Sequence, residues 1–218
     1  MTTLRPAPPS MAVIRRALEE FQLPAYDDQV LQIQQYINMV LSWNGKVNLT
    51  AIRDPLEILY RHFCESMFAG IAVPMERGRL ADVGTGAGFP GLPLKILRPG
   101  LQVFLIESNL KKATFLAEVI RTLGLRDTQV LVRRYEELGE EIAPLDFACA
   151  RALGEFSTFL DWAQREHLAA AKVVLWIGSQ DLAQISKNRG WKWSEPIRVP
   201  NSLRRVLLVG TRNCESVE

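Results

Sequence analysis

The chain has 218 residues, 48% hydrophobic and 23% charged, with a formal charge of +2. That length allows one sizeable α/β core with an extension and excludes two independent enzyme domains. The balance excludes a disordered or collagen-like chain, and no run approaches the roughly 18 apolar residues that cross a bilayer.

The first nine residues hold three prolines and no apolar segment, so 1–9 read as a disordered lead-in rather than a secretory signal, and a cytoplasmic location is expected. From Ser10, Val13, Ile14, Ala17, Leu18 and Phe21 recur at three and four residues, the pattern of an amphipathic helix that Pro24 ends. Asp27 and Asp28 offer N-cap chemistry for a second helix, running to Trp43 before Asn44-Gly45. A third starts at Asp54-Pro55 and continues through Leu59 and Phe63 towards Gly70. Residues 10–78 therefore read as a helical extension.

After Arg79, apolar runs alternate with helical patterns, as in a parallel sheet covered on both faces. Strands are expected at Leu80 to Val83, Val103 to Ile106, Gln129 to Val132, Asp146 to Ala150 and Lys172 to Ile177, with helices around Leu92 to Leu97 and Leu110 to Leu123. Two β-rich runs, Trp191 to Val199 and Leu203 to Gly210, flank Pro200-Asn201-Ser202 and suggest an antiparallel hairpin. Three cysteines, Cys64, Cys149 and Cys214, lack a Cys-x-x-Cys, and with only His62 and His167 beside them they predict neither a disulfide framework nor a zinc site. Cys149 sits in an apolar strand and reads as a small buried hydrophobe.

The first strand runs into Gly84-Thr85-Gly86-Ala87-Gly88, a loop suited to close backbone approach by a ligand. Phe89 stands where the dinucleotide fingerprint needs glycine, and no Gly-Lys-Ser/Thr follows to make a phosphate loop. Glu107 closes the second strand about 20 residues on, where an acid meets ribose hydroxyls. S-adenosylmethionine has that ribose and a cationic sulfonium, and Asp82 with no Lys or Arg between Arg79 and Lys95 suits such a charge. A tight turn without a ligand and a dinucleotide site stay open at this point.

Further segments add to the loop. They are Trp43-Asn44-Gly45-Lys46-Val47-Asn48-Leu49-Thr50, His62-Phe63-Cys64-Glu65-Ser66, Asp82 to Leu94 with its Phe-Pro-Gly-Leu-Pro tail, Leu105-Ile106-Glu107-Ser108, Arg134-Tyr135-Glu136-Glu137 and Ala150-Arg151-Ala152. Together they resemble the GidB/RsmG-type bacterial methyltransferases that modify N7 of a guanine in small-subunit ribosomal RNA. The resemblance implies a Rossmann-like class I S-adenosylmethionine-dependent methyltransferase over 79–218, with a mostly parallel seven-stranded sheet. It implies that Gly84 and Phe89 line the cofactor pocket, which Gly86 and Glu107 join on the reading of the loop and its spacing, that Tyr135 and Glu136 lie beside the adenine, and that Arg151 closes the far end. Two positions depart from the family pattern: Glu65 replaces an aspartate, and Ile177 stands where a lysine is usual. Lys172, Lys187 or a hairpin arginine are the candidates to replace that lysine.

Guanine N7 carries a free lone pair, so positioning rather than a general base would supply the catalysis. His62 then reads as a structural or RNA-contacting residue. Between Lys187 and Arg212 seven basic residues face one acid, Glu195, which fits either a solvated hairpin edge or an RNA contact through Arg204 and Arg205. The expected partner is small-subunit ribosomal RNA or the 30S particle, met by a monomer without metal or membrane. The alternatives are a class I methyltransferase of another acceptor and a ribosome-assembly module that binds the cofactor but transfers weakly.

Overall fold

The computed structural model describes residues 6–213. Part of the expected lead-in, 1–5, and Cys214 lie outside the described residues. Within the remainder of the lead-in, Pro9 is buried and its carbonyl accepts a hydrogen bond of 2.8 Å from Gln34 Nε2.

Helix α1 (Met11–Glu20) starts on Ser10, whose side chain caps Val13, and α2 spans Asp27–Val47. The helix does not stop at Asn44-Gly45. Asn44 points its amide at the returning chain instead, donating to the Thr50 carbonyl at 2.9 Å and accepting from the Thr50 amide at 2.9 Å, and Asn48 in the left-handed region at φ 52° ends the helix. The expected third helix is three pieces: α3 (Pro55–Ile58), a π-helical turn over Leu59–Cys64, and α4 (Glu65–Ala72).

The sheet follows with β1 (Arg77–Val83), α5 (Gly91–Leu97), β2 (Gly100–Ile106), α6 (Leu110–Leu123), β3 (Thr128–Leu131), β4 (Phe147–Arg151), α7 (Phe156–Ala163), β5 (Lys172–Gly178), α8 (Leu182–Ile185), β6 (Trp191–Trp193), β7 (Ile197–Arg198) and β8 (Arg205–Arg212). Strand order is β3-β2-β1-β4-β5-β8-β6, with β7 also on β8. The first five strands are parallel, and β8 runs antiparallel to β5, β6 and β7. The run from Trp191 to Val199 was expected to be one β segment; it is two short ones, because Pro196 has no N–H to give to a ladder. The two share one edge of β8, so eight strands fill seven lanes. Helices α7 and α8, which the sequence reading did not include, cover the second face.

Alternation along the strands builds two cores. Leu80, Leu105, Val174, Trp176 and Leu207 face α1, α2, the α3–α4 segment, α5 and α6, while Ala81, Val83, Ile106, Val173, Leu175 and Ile177 face α7 and α8. The helical extension thus shares a continuous core with the sheet, and this packing carries it to the carboxyl edge of β1, β4 and β5.

Candidate functional site

Chain reversal after β1 is made by Gly84, Gly86 and Gly88, with φ of 65°, 59° and 93°. Asp82, fully buried, holds the reversal from inside: its Oδ2 accepts from the Thr85 hydroxyl at 2.5 Å and the Gly91 amide at 2.8 Å. Burial raises the Asp82 carboxyl to about 7 against the pull of those bonds and of Arg151. Cys149 Sγ lies 3.7 Å from Asp82 Oδ1, in the core as expected, and burial pushes its thiol well above the ordinary range. Asp82 is therefore committed to the loop from inside and does not face a ligand, which corrects the direct electrostatic role expected of it.

Outside the loop lies a cavity of about 310 Å³ lined by Gly84, Ile106, Glu107, Ser108, Arg133, Arg134, Tyr135, Glu136 and Leu153. Four of the expected cofactor residues, Gly84, Glu107, Tyr135 and Glu136, meet there. Glu107 is 8% exposed; its Oε2 accepts from the Gly86 amide at 3.1 Å and its Oε1 from the Asn109 amide at 2.8 Å. Each oxygen keeps lone-pair capacity for a further donor. Tyr135 stands edge-on to Trp162 at 5.4 Å, which fixes the short 3-10 turn Tyr135–Glu137 on the second core. Arg133 and Arg134 balance the acids, so the cavity is not the cation-free lip that the loop sequence suggested.

Leu153 was missed. Ala152, in the left-handed region at φ 55°, turns the chain after β4 and brings Leu153 over the loop, where a Cβ on Gly84 would lie 3.2 Å from its Cδ2. The rule that ligands gather at the carboxyl ends of strands was the available signal.

Phe89 is not among the cavity residues. Its ring is stacked between Tyr36, with centroids 5.5 Å apart, and His62, with centroids 4.6 Å apart, both at 13°. Phe63 meets both Tyr36 and Phe89 edge-on, and the Tyr36 hydroxyl donates to the Ala87 carbonyl. Phe89 is thus the plug by which α2 and the π turn grip the loop. His62 Nε2 lies 2.8 Å from Thr50 Oγ1, and its Nδ1 is buried with no partner. Burial, then Arg151, Arg61 and Arg205, lower the imidazole to about 3, so it is neutral.

Arg151 turns away from the cavity towards α4. Its Nη2 lies 3.2 Å from Glu65 Oε2 and its Nη1 3.4 Å from Ser66 Oγ, while Arg205 pairs with Glu65 Oε1. Burial lowers the Arg151 guanidinium to about 10 against the support of Glu65. Glu65 also accepts the Trp176 indole N–H on its carbonyl at 2.8 Å. Arg204 is exposed, so the two hairpin arginines separate: one faces solvent and the other is held in an ion-paired cluster. Ile177 is 4% exposed in the second core and presents no cation. Lys172 cannot replace one there, since it starts β5, paired with Thr211, roughly 16 Å along the strand. Arg205, opposite Gly178 at the site end of β5, is the cation on the neighbouring strand nearest that position.

Three comparisons bear on this arrangement. Residues 29–198 match the family model described as GidB, rRNA small subunit methyltransferase G. The ribosomal RNA small subunit methyltransferase G of Roseiflexus sp. (strain RS-1) is 37% identical over 192 residues, 83% of this chain and 82% of that protein. Its namesake in Roseiflexus castenholzii is 42% identical over 137 residues, covering 62% of this chain and 58% of that protein. In structure, the chain is similar to a SAM-dependent methyltransferase from Aquifex aeolicus with a TM-score of 0.59 at 16% identity, over 76% of this chain and 97% of the other.

Proposed function

Since this chain belongs to the GidB family of small-subunit rRNA methyltransferases, we propose that it transfers a methyl group from S-adenosylmethionine to N7 of one guanine in small-subunit (16S) ribosomal RNA. The observation that carries the reading is the cavity at the carboxyl ends of β1 to β4, where Gly84, Glu107, Tyr135 and Glu136 converge. The cavity suits the cofactor: Glu107 has lone pairs left for ribose hydroxyls, Gly84 has no side chain to block approach, and Tyr135 with Glu136 forms the wall on which an adenine would lie. Arg133 and Arg134 continue that wall, Arg133 paired with Glu141 at 3.3 Å.

When bound, the cofactor supplies an electrophilic methyl group on a sulfonium sulfur. The N7 lone pair of guanine needs no proton removed before attack. The residues at the site accord with that: His62 is neutral and buried, and Asp82 is turned into the loop. What the chain contributes is placement, by a loop held by Asp82 inside and, through Phe89, by Tyr36 and His62 above. An N7 lone pair attacks unaided, so the reaction calls for no metal. The reading takes a monomer in the cytoplasm as the active form and the rRNA or 30S particle as its partner, engaged through Arg204 and other exposed cations of the hairpin. Arg205, expected as an RNA contact, serves that surface indirectly through its pair with Glu65, and His62, expected likewise, is stacked on Phe89 and holds the loop.

Incubation with labelled S-adenosylmethionine and small subunits from a strain lacking the activity tests the proposal. Label recovered as 7-methylguanine in the RNA is the expected result. Unlabelled RNA would refute it, and cofactor binding without transfer would point to an assembly module instead.

A further inference from the structure

A second cavity, of about 200 Å³, opens beside the cofactor cavity, and Leu153 lines both. Its apolar part is Leu153, Phe156, Leu160 and Ile185; its acids are Glu155 and Asp181, and no Lys or Arg lines it. The apolar residues are anchored in the second core, where Leu160 is 1% and Ile185 6% exposed. Glu155 Oε1 accepts from the Ser157 hydroxyl at 3.1 Å and Asp181 Oδ2 from Gln180 Nε2 at 3.2 Å. Among the described residues, the other oxygen of each carboxylate has no hydrogen-bond partner.

We infer that this cavity is the acceptor pocket, which takes the target guanine out of its stack and reads the edge bearing N1–H and the 2-amino group with Glu155 and Asp181. The inference rests on the proposed guanine reaction and adds to it the residues that choose the base.

Two anionic acceptors without a cation repel phosphate and match hydrogen-bond donors. Guanine is the base whose Watson–Crick edge offers two adjacent donor groups to a carboxylate; adenine and cytosine each place a bare ring nitrogen there. An unstacked base also needs an apolar or aromatic surface, which Phe156, Leu160 and Ile185 supply. The placement follows from the ring itself. N7 lies across the purine from N1 and the 2-amino group, so a guanine held by the acids turns N7 back towards Leu153 and the cofactor cavity behind it. Cavity order along the sheet is consistent, since the first spans the ends of β3, β2 and β1 to the β4 loop, and the second runs from that loop to the segment after β5.

The test uses the full chain, labelled S-adenosylmethionine and small ribosomal subunits, with wild type compared with Glu155→Gln, Asp181→Asn and the double variant. Both acids are at least partly exposed, so folding should survive, and cofactor affinity measured by calorimetry reports on the neighbouring cavity. The double variant is expected to lose at least tenfold in kcat/KM for RNA while cofactor affinity stays within twofold. Free guanosine should inhibit wild-type transfer competitively with RNA and more strongly than inosine, which lacks the 2-amino group, and the double variant should no longer tell the two apart. Wild-type kinetics in the double variant, or equal inhibition of wild type by guanosine and inosine, would overturn the pocket assignment while leaving the reaction intact. No transfer by wild type would overturn the reaction itself.

Discussion

The ring of Phe89 lies parallel to the imidazole of His62, 4.6 Å from it, so the cofactor loop is pinned to the helical extension by an aromatic stack. Phe89→Ala should cost about 3–5 kcal/mol, the range for a large buried aromatic. It should also weaken cofactor binding, because the loop loses its plug while Asp82 still holds it from below. Denaturant unfolding and calorimetric titration with S-adenosylmethionine check the two effects. A large stability loss with unchanged affinity would show that the stack matters to the fold alone.

Tyr36→Phe removes one oxygen and leaves the Ala87 carbonyl without its donor. The expected loss is about 1–3 kcal/mol, as for a buried acceptor left unpaired. Gly88→Ala should be worse, since its φ of 93° suits glycine and an added Cβ would overlap both the Tyr36 hydroxyl and Leu92. Soluble yield and unfolding midpoints of the two variants give the comparison.

Two buried groups bend stability against pH in opposite senses. An unfolded His takes a proton near 6.5, whereas His62 resists protonation to about 3. Between those values the unfolded chain binds more protons, so stability falls as pH drops from 6.5. Asp82 keeps its proton to about 7 against 3.8 when unfolded, so its contribution falls as pH rises through that window. The two windows overlap, so the opposite slopes largely offset in the wild type: His62→Gln should leave a stability that falls as pH rises from 4 to 7, and Asp82→Asn one that falls as pH drops over the same range. Urea midpoints taken from pH 4 to 8 decide, read as slopes because each variant also shifts the absolute stability.

Glu65 sits between Arg151 and Arg205 with its side chain 7% exposed. Glu65→Ala would leave two neighbouring cations unpaired, at a cost of roughly 3–5 kcal/mol for the more buried of them. Arg205 is 28% exposed and adds less. Combining Glu65→Ala with Arg205→Ala should be markedly less damaging than the sum of the single changes, which thermal unfolding of all three variants measures.

Arg204 is the solvent-facing member of the hairpin pair. Arg204→Ala should weaken RNA binding at every sequence alike and lower the salt dependence by about one phosphate contact, with cofactor affinity unchanged. Arg205→Ala should disturb the Glu65 cluster as well. A shared phenotype for the two would contradict the division of roles.

Much of the fold was legible because its signals are local. Helix α6 matches its periodic pattern from Leu110 to Leu123, and each parallel strand announces itself as a short apolar run. The loop and Glu107 were legible for the same reason, a glycine cluster and an acid at fixed spacing. What could not be read was which way a side chain turns once three layers meet. Phe89 belongs to a motif at the cofactor loop, yet its ring faces away, because Tyr36 and His62 come from segments whose docking no local pattern records. Arg151 and Asp82 stand at strand ends as expected, but burial recruits one to Glu65 and the other to the loop. Leu153 depends on the left-handed turn at Ala152, a conformation that alanine does not advertise.

The π turn at Leu59–Cys64, where the Glu65 amide reaches back to the Tyr60 carbonyl, holds one residue more than an α-helical turn would. One residue of an α-helix advances the face by about 100°. Deleting a residue here would let the segment from Pro55 to Ala72 close into an ordinary helix with better local hydrogen bonding and with Glu65 and Ser66 still turned to Arg151, while the side chains inside the turn change face. The surplus residue therefore decides which side chains of Leu59–Cys64 meet the loop, His62 and Phe63 among them, and leaves the direction of those on α4 unchanged.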